Sequence, residues 1–188
     1  MAIKTFTTGE VLTASDTNTY LANSGLVYIK EVALTGTAVN ITSCFSATYD
    51  NYRIVIGNLT NSGGGVYLNY QLLSGTTPAA TASYNNVRIY CSLPTTVLCL
   101  AANGTTAGNF IPFGTNKNSQ SIDICNPFLA ISTTSSATGN YDNGTSQGVP
   151  ESAGSTHTVG SSYDGIRLIS GANNFSSGKA IVYGYRQS

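Results

Sequence analysis

Tryptophan is absent from this 188-residue chain, and methionine and histidine occur once each. Charge is the larger deficit. Asp, Glu, Lys and Arg make up 9 % of the residues, against roughly 25 % in ordinary soluble proteins. Eight basic residues balance eight acidic ones. The basic ones, Lys4, Lys30, Arg53, Arg88, Lys117, Arg167, Lys179 and Arg186, are scattered with no two adjacent. Neutralising phosphates needs clustered cations, so nucleic acid is not an expected partner. No apolar run approaches the ~20 residues of a membrane helix, so no membrane partner is expected either. Cys44, Cys91, Cys99 and Cys125 form no C-x-x-C, and with His157 as the only histidine a zinc site is not expected. Ala2-Ile3-Lys4 leads into a polar segment, not an apolar signal core, so synthesis in a cytoplasm is expected. Free thiols follow from that compartment, with Cys91 and Cys99 the pair placed to face each other across a turn at 92–96.

What takes the place of charge is Ser, Thr, Asn and Gly, with Tyr, Val and Ile recurring in short runs. A hydrophobic fraction of 41 % separates the chain from disordered sequences. Uncharged hydroxyl and amide surfaces suit β-proteins that contact other chains. So little charge protects a monomer poorly against association, which makes a homo-oligomer the easier reading.

The pattern along the chain is β after residue 25. Candidate strands cover 26–34, 51–59, 66–73, 86–91, 97–101, 110–113, 121–132, 156–160, 165–170 and 179–186. The cleanest alternation places Val66, Leu68, Tyr70 and Leu72 inward, with Tyr67, Asn69 and Gln71 outward. Pro127 predicts an edge or a bulge in 121–132. Turn chemistry separates the strands, as at Ser62-Gly63-Gly64-Gly65, Asn103-Gly104 and Asp164-Gly165. The polar, Gly-rich stretch 133–155 reads as a long surface loop. About nine or ten short strands predict an antiparallel β-sandwich or jelly roll. The expected organisation is an N-terminal arm with a short helix over 1–25 and a β-sandwich body over 26–188. No internal repeat is visible.

The arm is local chemistry of its own. Thr13 suits a helix N-cap, with Asp16 at the third helical position to return the bond. Leu12 is placed to pack on Thr17 or Leu21, and Asn23 and Gly25 suit the helix end. This predicts a two-turn helix. An arm that cannot pack alone packs on something else.

Candidates for chemistry are weak. Gly144-Thr145-Ser146-Gln147-Gly148 fits the G-x-S-x-G pattern, but a nucleophile elbow needs a buried strand before it and a helix after it. Serine, threonine and glycine precede it, and Pro150 follows. His157 would need a positioned nucleophile and an orienting carboxylate, with Glu151 and Asp164 its nearest in sequence. Glu10, Glu31, Asp50, Asp123 and Asp142 are isolated carboxylates without a paired constellation. Asp142-Asn143-Gly144 offers oxygens to a cation without the rest of a calcium loop, and reads as a turn. The Asn-x-Ser/Thr sequons at Asn40, Asn58, Asn103, Asn143 and Asn174 follow from composition. No catalytic residue, cofactor or metal is expected, so the chain is expected not to be an enzyme.

The twelve tyrosines remain. Tyr49, Tyr52, Tyr67, Tyr70, Tyr183 and Tyr185 fall on candidate strands, where core or intersubunit packing is expected. Tyr141, in the polar stretch, is expected to be exposed. With Asn143 it is the candidate contact to a host-surface glycan, since a tyrosine ring stacks well on sugars.

Phe6-x-x-Gly9-Glu10-Val11-Leu12-Thr13-Ala14-x-Asp16-x-Asn18-x-Tyr20-Leu21 resembles the leading segment of many tailed-bacteriophage structural proteins. Leu26-Val27-Tyr28-Ile29-Lys30, the stretch Phe45 to Ile54 and Val182-Tyr183-Gly184-Tyr185-Arg186 resemble one group of small virion proteins. The resemblance covers both ends and fades across 63–162. It implies a virion part of the capsid decoration (cement), head-fibre or tail-fibre type, located on the particle and made in the bacterial host cytoplasm. It also implies a homotrimer whose partners are itself and the major capsid protein or a tail or portal component. Phe6, Val11, Leu12, Asp16, Tyr20 and Leu21 are the expected anchoring residues. A tail-fibre or receptor-binding module that contacts host carbohydrate is the alternative.

Overall fold

A computed structural model describes residues 7–11, 13–16, 25–92, 96–142 and 148–186. Among these residues the chain is all-β, and its thirteen strands, numbered in chain order, pair only antiparallel. One sheet has eight strands. Its order is β1 (Leu26–Ala33), β13 (Phe175–Tyr185), β3 (Asn51–Asn61), β9 (Asn118–Cys125), β10 (Thr133–Asp142), β11 (Gly148–His157), β6 (Tyr84–Ser92) and β7 (Thr96–Thr105). The other has β2 (Ala38–Ile41), β12 (Gly165–Ser170), β4 (Val66–Ser74) and β5 (Thr77–Pro78), with β8 (Gly108–Phe113) also paired to β4.

The alternation read in 66–73 sets the inner face of the small sheet. Leu68, Tyr70 and Leu72 are fully buried, and Tyr67 on the opposite side is exposed. Tyr52, Ile54 and Ile56 of β3 and Ile122 and Ile124 of β9 join the same buried cluster from the large sheet. Burying each such side chain contributes about 1.5–3 kcal/mol. Tyr70 stacks on Phe110 of β8 with ring centroids 4.4 Å apart. Strand β8 passes so close to that ring that a Cβ on Gly108 would collide with it. Tyr52 also ties down the turn before its own strand. Its hydroxyl accepts from the Ser46 N–H at 2.7 Å and donates to the Ser46 carbonyl at 2.8 Å.

Three expectations change. Residues 133–155 are not a surface loop. They form strand β10 and most of β11 in the interior of the large sheet, with 143–147 outside the described residues. Their inward side chains are small, Thr133, Ser135 and Ala137, because the Tyr70–Phe110 layer opposite fills the space. The Tyr70 hydroxyl pairs with Ser135 Oγ at 2.9 Å. Second, Pro127 breaks no strand. β9 stops at Cys125, Asn126 turns the chain with φ 59°, and β9 is an interior strand rather than an edge. Third, the two-turn N-terminal helix is not seen. The described residues there hold one three-residue helical turn, Ala14–Asp16, and 17–24 lie outside them.

Candidate functional site

Of the expected anchoring residues, Phe6, Leu12, Tyr20 and Leu21 lie outside the described residues. Val11 is 79 % exposed, and Asp16 sits in the exposed helical turn. Glu10, just before Val11, closes a small turn. Its backbone N–H donates to the Thr7 carbonyl at 3.0 Å, and its carboxylate accepts the Thr7 N–H at 3.1 Å. Of the expected glycan contacts, Asn143 lies outside the described residues. Tyr141 is not exposed as expected. It is half-buried on β10 and packed against the core, its hydroxyl so close under Gly65 that a Cβ there would strike it.

His157 is fully buried at the end of β11 and stacks on Tyr84 with centroids 4.3 Å apart. Its Nδ1 pairs with Ser83 Oγ at 2.8 Å and its Nε2 with the Tyr163 hydroxyl at 2.7 Å. Burial holds its pKa below the ordinary 6.5. A serine beside a histidine has the outline of a nucleophile and base, yet the third group is a phenol rather than a carboxylate. Asp164 instead accepts the Gly75 N–H at 2.8 Å, and Glu151 faces Arg88. The ring thus clamps β11 to the segments before β6 and β12. The G-x-S-x-G run ends at Gly148, the first residue of β11, so an antiparallel strand and not a helix follows it.

Two arginine–carboxylate pairs differ in kind. Arg53 and Asp123, cross-strand partners on β3 and β9, form a bidentate pair with both bonds at 2.8 Å. Asp123 also accepts the Tyr185 hydroxyl at 2.5 Å. The guanidinium bonds hold the Asp123 pKa below the usual carboxylate range, and burial with this bond pushes Tyr185 up to about 12. Arg88 and Glu151 are more buried and looser, 3.6 Å apart. Burial pushes the Glu151 carboxyl pKa up, against the pull of Arg88. The Arg88 guanidinium lies 4.9 Å from the Tyr67 ring and 4.3 Å from the Tyr90 ring. It forms one wall of a cleft of about 250 Å³ shared with Tyr67, Asn109 and Leu100. Among the described residues no three His, Cys, Asp or Glu converge as a metal would need.

The largest departure from an ordinary surface is the β6–β7 hairpin. Antiparallel strands flank the turn expected at 92–96, of which 93–95 lie outside the described residues, but Cys91 is opposite Val97 and Cys99 opposite Ile89. All four cysteines are free. Strand β7 is the last in the large sheet and is exposed on both faces for nearly its full length. Cross-strand partners share a face. Val87, Ile89 and Cys91 therefore go with Ala101, Cys99 and Val97 on the outer face, and Arg88 and Tyr90 with Leu100 and Leu98 on the inner face. Val97 is 71 % exposed, Ile89 50 % and Leu100 44 %. Sequence reading found the strand but not its exposure. The available signal was a ten-residue segment, Thr96–Thr105, with four large apolar or thiol side chains in succession and no charge. A scan of protein-family models and a search of curated proteins match nothing to this chain.

Proposed function

We propose that this protein is a non-enzymatic structural part of a tailed-bacteriophage particle, a capsid decoration protein of the cement or head-fibre type. Its arm, 1–25, attaches it to the shell, and its body, read as a β-sandwich of jelly-roll type, is what the arm carries as a homotrimer. The observation that carries this reading is strand β7 of the β6–β7 hairpin, uncovered on both faces, with Val87 and Ile89 of β6 exposed beside it on the outer one. A contiguous exposed apolar surface of this kind marks an assembly contact. The exposed Val11 within a segment that resembles phage leading segments supports the arm as the attachment.

The receptor-binding alternative relied on loops at 62–65 and 133–155. Of the second, 133–142 and 148–155 are strand, and Tyr141 is tucked against the core, so this reading loses most of its described surface. The test is to delete 1–23 and purify particles. The body should fold, shown by an unchanged β-type circular dichroism spectrum, and should be missing from the particles. Normal incorporation of the truncated protein would rule out the arm as attachment. A count of copies per particle then separates shell from tail, since a shell takes many and a tail few.

A further inference from the structure

The cleft beside Arg88 lies between two layers. Arg88 and Leu100 line it from the inner face of the β6–β7 hairpin, and Tyr67 and Asn109 line it from β4 and β8. Asn86 ties the layers together. Its side-chain amide donates to Thr105 Oγ1 at 2.7 Å and to the Ala107 carbonyl at 3.2 Å, and its Oδ1 accepts the Asn109 N–H at 2.9 Å. Asn86 is buried and spends both amide hydrogens on that task. The fold itself therefore holds the cleft in shape.

The guanidinium in this wall lacks acceptors. An arginine carries N–H donors and no acceptor, and Arg88 hydrogen-bonds to none of the described residues. Its Nε is buried, and Oε2 of Glu151 beside it, 3.6 Å away, has no hydrogen-bond partner either. Burial raises the Glu151 pKa, which weakens it as a counter-ion. Arg53, by contrast, spends its fork on Asp123. Buried polar atoms without partners are few in native proteins, and an unseen ligand is one cause of them. In the same cleft the Asn109 side-chain amide and the Tyr67 hydroxyl have no partner among the described residues. The Tyr67 ring and Leu100 are both partly exposed there.

These groups select a ligand by their chemistry. A donor-only cation with a planar fork matches a carboxylate. Glu151 stands at Nε, which leaves the two terminal nitrogens for it. An amide and a phenol each donate and accept, which matches hydroxyls. The Tyr67 ring and Leu100 match the apolar edge of a ring. The volume of about 250 Å³ is below the roughly 300–1,000 Å³ of sites for drug-sized ligands, so the ligand is a single ring in size. We propose that this cleft binds a carboxylate-bearing sugar, its carboxylate on Arg88 and its hydroxyls on Asn109 and Tyr67. The site uses neither Tyr141 nor Asn143. It stands apart from the assembly reading, and neither needs the other.

The test is calorimetric titration of the full chain at constant ionic strength, with NMR of the arginine Nε–H groups to locate the ligand. Sodium glucuronate should bind with a Kd of about 1 mM and shift the Arg88 Nε–H. Glucose lacks the carboxylate and acetate lacks the ring, and each should bind about tenfold more weakly. Asn109→Ala removes a side chain with no partner among the described residues, so the fold should stay intact while glucuronate binds about fivefold more weakly. Arg88→Gln with Glu151→Gln leaves no buried charge unpaired, and it should abolish binding while a thermal melt shows a folded chain. Glucuronate that leaves the Arg88 Nε–H unmoved overturns the site. Acetate that binds as well as glucuronate makes it a bare anion site and overturns the sugar. Glucose that binds as well overturns the carboxylate contact. An Asn109→Ala variant that binds like wild type also overturns the proposal, because the hydroxyl contacts are then missing.

Discussion

The large sheet has two edges, and they are treated differently. Strand β1 carries Lys30 and Glu31, and its register with β13 shifts between Tyr28 and Lys30. Lys30 Nζ donates to the Thr42 carbonyl at 3.0 Å, and Glu31 pairs with Lys179 Nζ at 2.6 Å. A bulge and charges are the devices that stop an edge from accepting another strand. Strand β7 has a register shift only at its far end, where its partner β6 passes from Asn86 to Tyr84. Over Thr96–Thr105 it has no charge and no proline, and its register with β6 runs unbroken from Ser92–Thr96 to Asn86–Ala102. One chain that guards one edge and leaves the other open separates two jobs. On the assembly reading proposed above, the β1 side would keep a finished boundary and the β7 side would receive another chain.

The sharpest test of that division compares the same substitution in covered and uncovered positions. Ile54 is fully buried in the middle of β3. Ile54→Ala should destabilise the fold by about 2–5 kcal/mol. Leu98→Ala removes a similar side chain from the open hairpin, and the isolated subunit should lose less than about 0.5 kcal/mol. Urea unfolding at low and high protein concentration reads both. The Ile54 loss should not depend on concentration, while the Leu98 loss should appear only where copies associate. Equal losses at low concentration would mean that β7 is part of the core after all.

The second difference is in titration. His157 must be neutral to stay in its buried clamp, because burial depresses its pKa from 6.5. As pH falls below 6.5 the unfolded chain takes up the proton first, so stability should fall with pH until the folded imidazole is protonated too. Each unit between the two pKa values is worth about 1.4 kcal/mol. Strand β7 carries no Asp, Glu, His, Lys or Arg. Thermal melts between pH 7.5 and 5 should therefore drop while the sedimentation of still-folded protein stays the same. His157→Phe keeps a ring against Tyr84 and leaves Ser83 and Tyr163 without the imidazole nitrogens. It should melt lower than wild type at pH 7.5, and its melting point should lose the fall below pH 6.5.

Strands with large alternating side chains were legible in the sequence, because Leu68, Tyr70 and Leu72 carry the periodicity themselves. Strands β10 and β11 were not. Their buried residues are Thr133, Ser135, Ala137, Ala153 and Ser155, with Glu151 and His157 as the larger ones, and small polar residues in a row look like a loop. What makes them strand is the aromatic layer of Tyr70 and Phe110, which lies far away in sequence. The hairpin was half legible. Val97 to Ala101 reads as strand, yet an exposed apolar strand and a buried one have the same letters. Burial depends on whether the second sheet reaches over it, and at β7 it does not. The polar pairs were illegible for a similar reason. Arg53–Asp123 and Ser83–His157 join residues brought together only by strand order.

The smallest expected effect is also the most direct way to break the contrast between the edges. Lys30→Val with Glu31→Val removes the charges from β1 and leaves its bulge in place. The Glu31–Lys179 pair is exposed, so its loss should hardly change stability. Losing the Lys30–Thr42 bond costs the fold about 1 kcal/mol. The gain appears in association. Each new cross-strand pair formed at the bared edge is worth about 0.2–1 kcal/mol. With β7 already open, an unguarded β1 gives every copy a second sticky edge. A closed assembly should then turn into polydisperse chains, seen as a rise in light scattering with protein concentration and partly reversed by restoring Lys30 alone. If scattering stays at the wild-type level, the bulge alone guards β1. The charges would then be ordinary surface residues, and the absence of charge on β7 would lose part of its meaning.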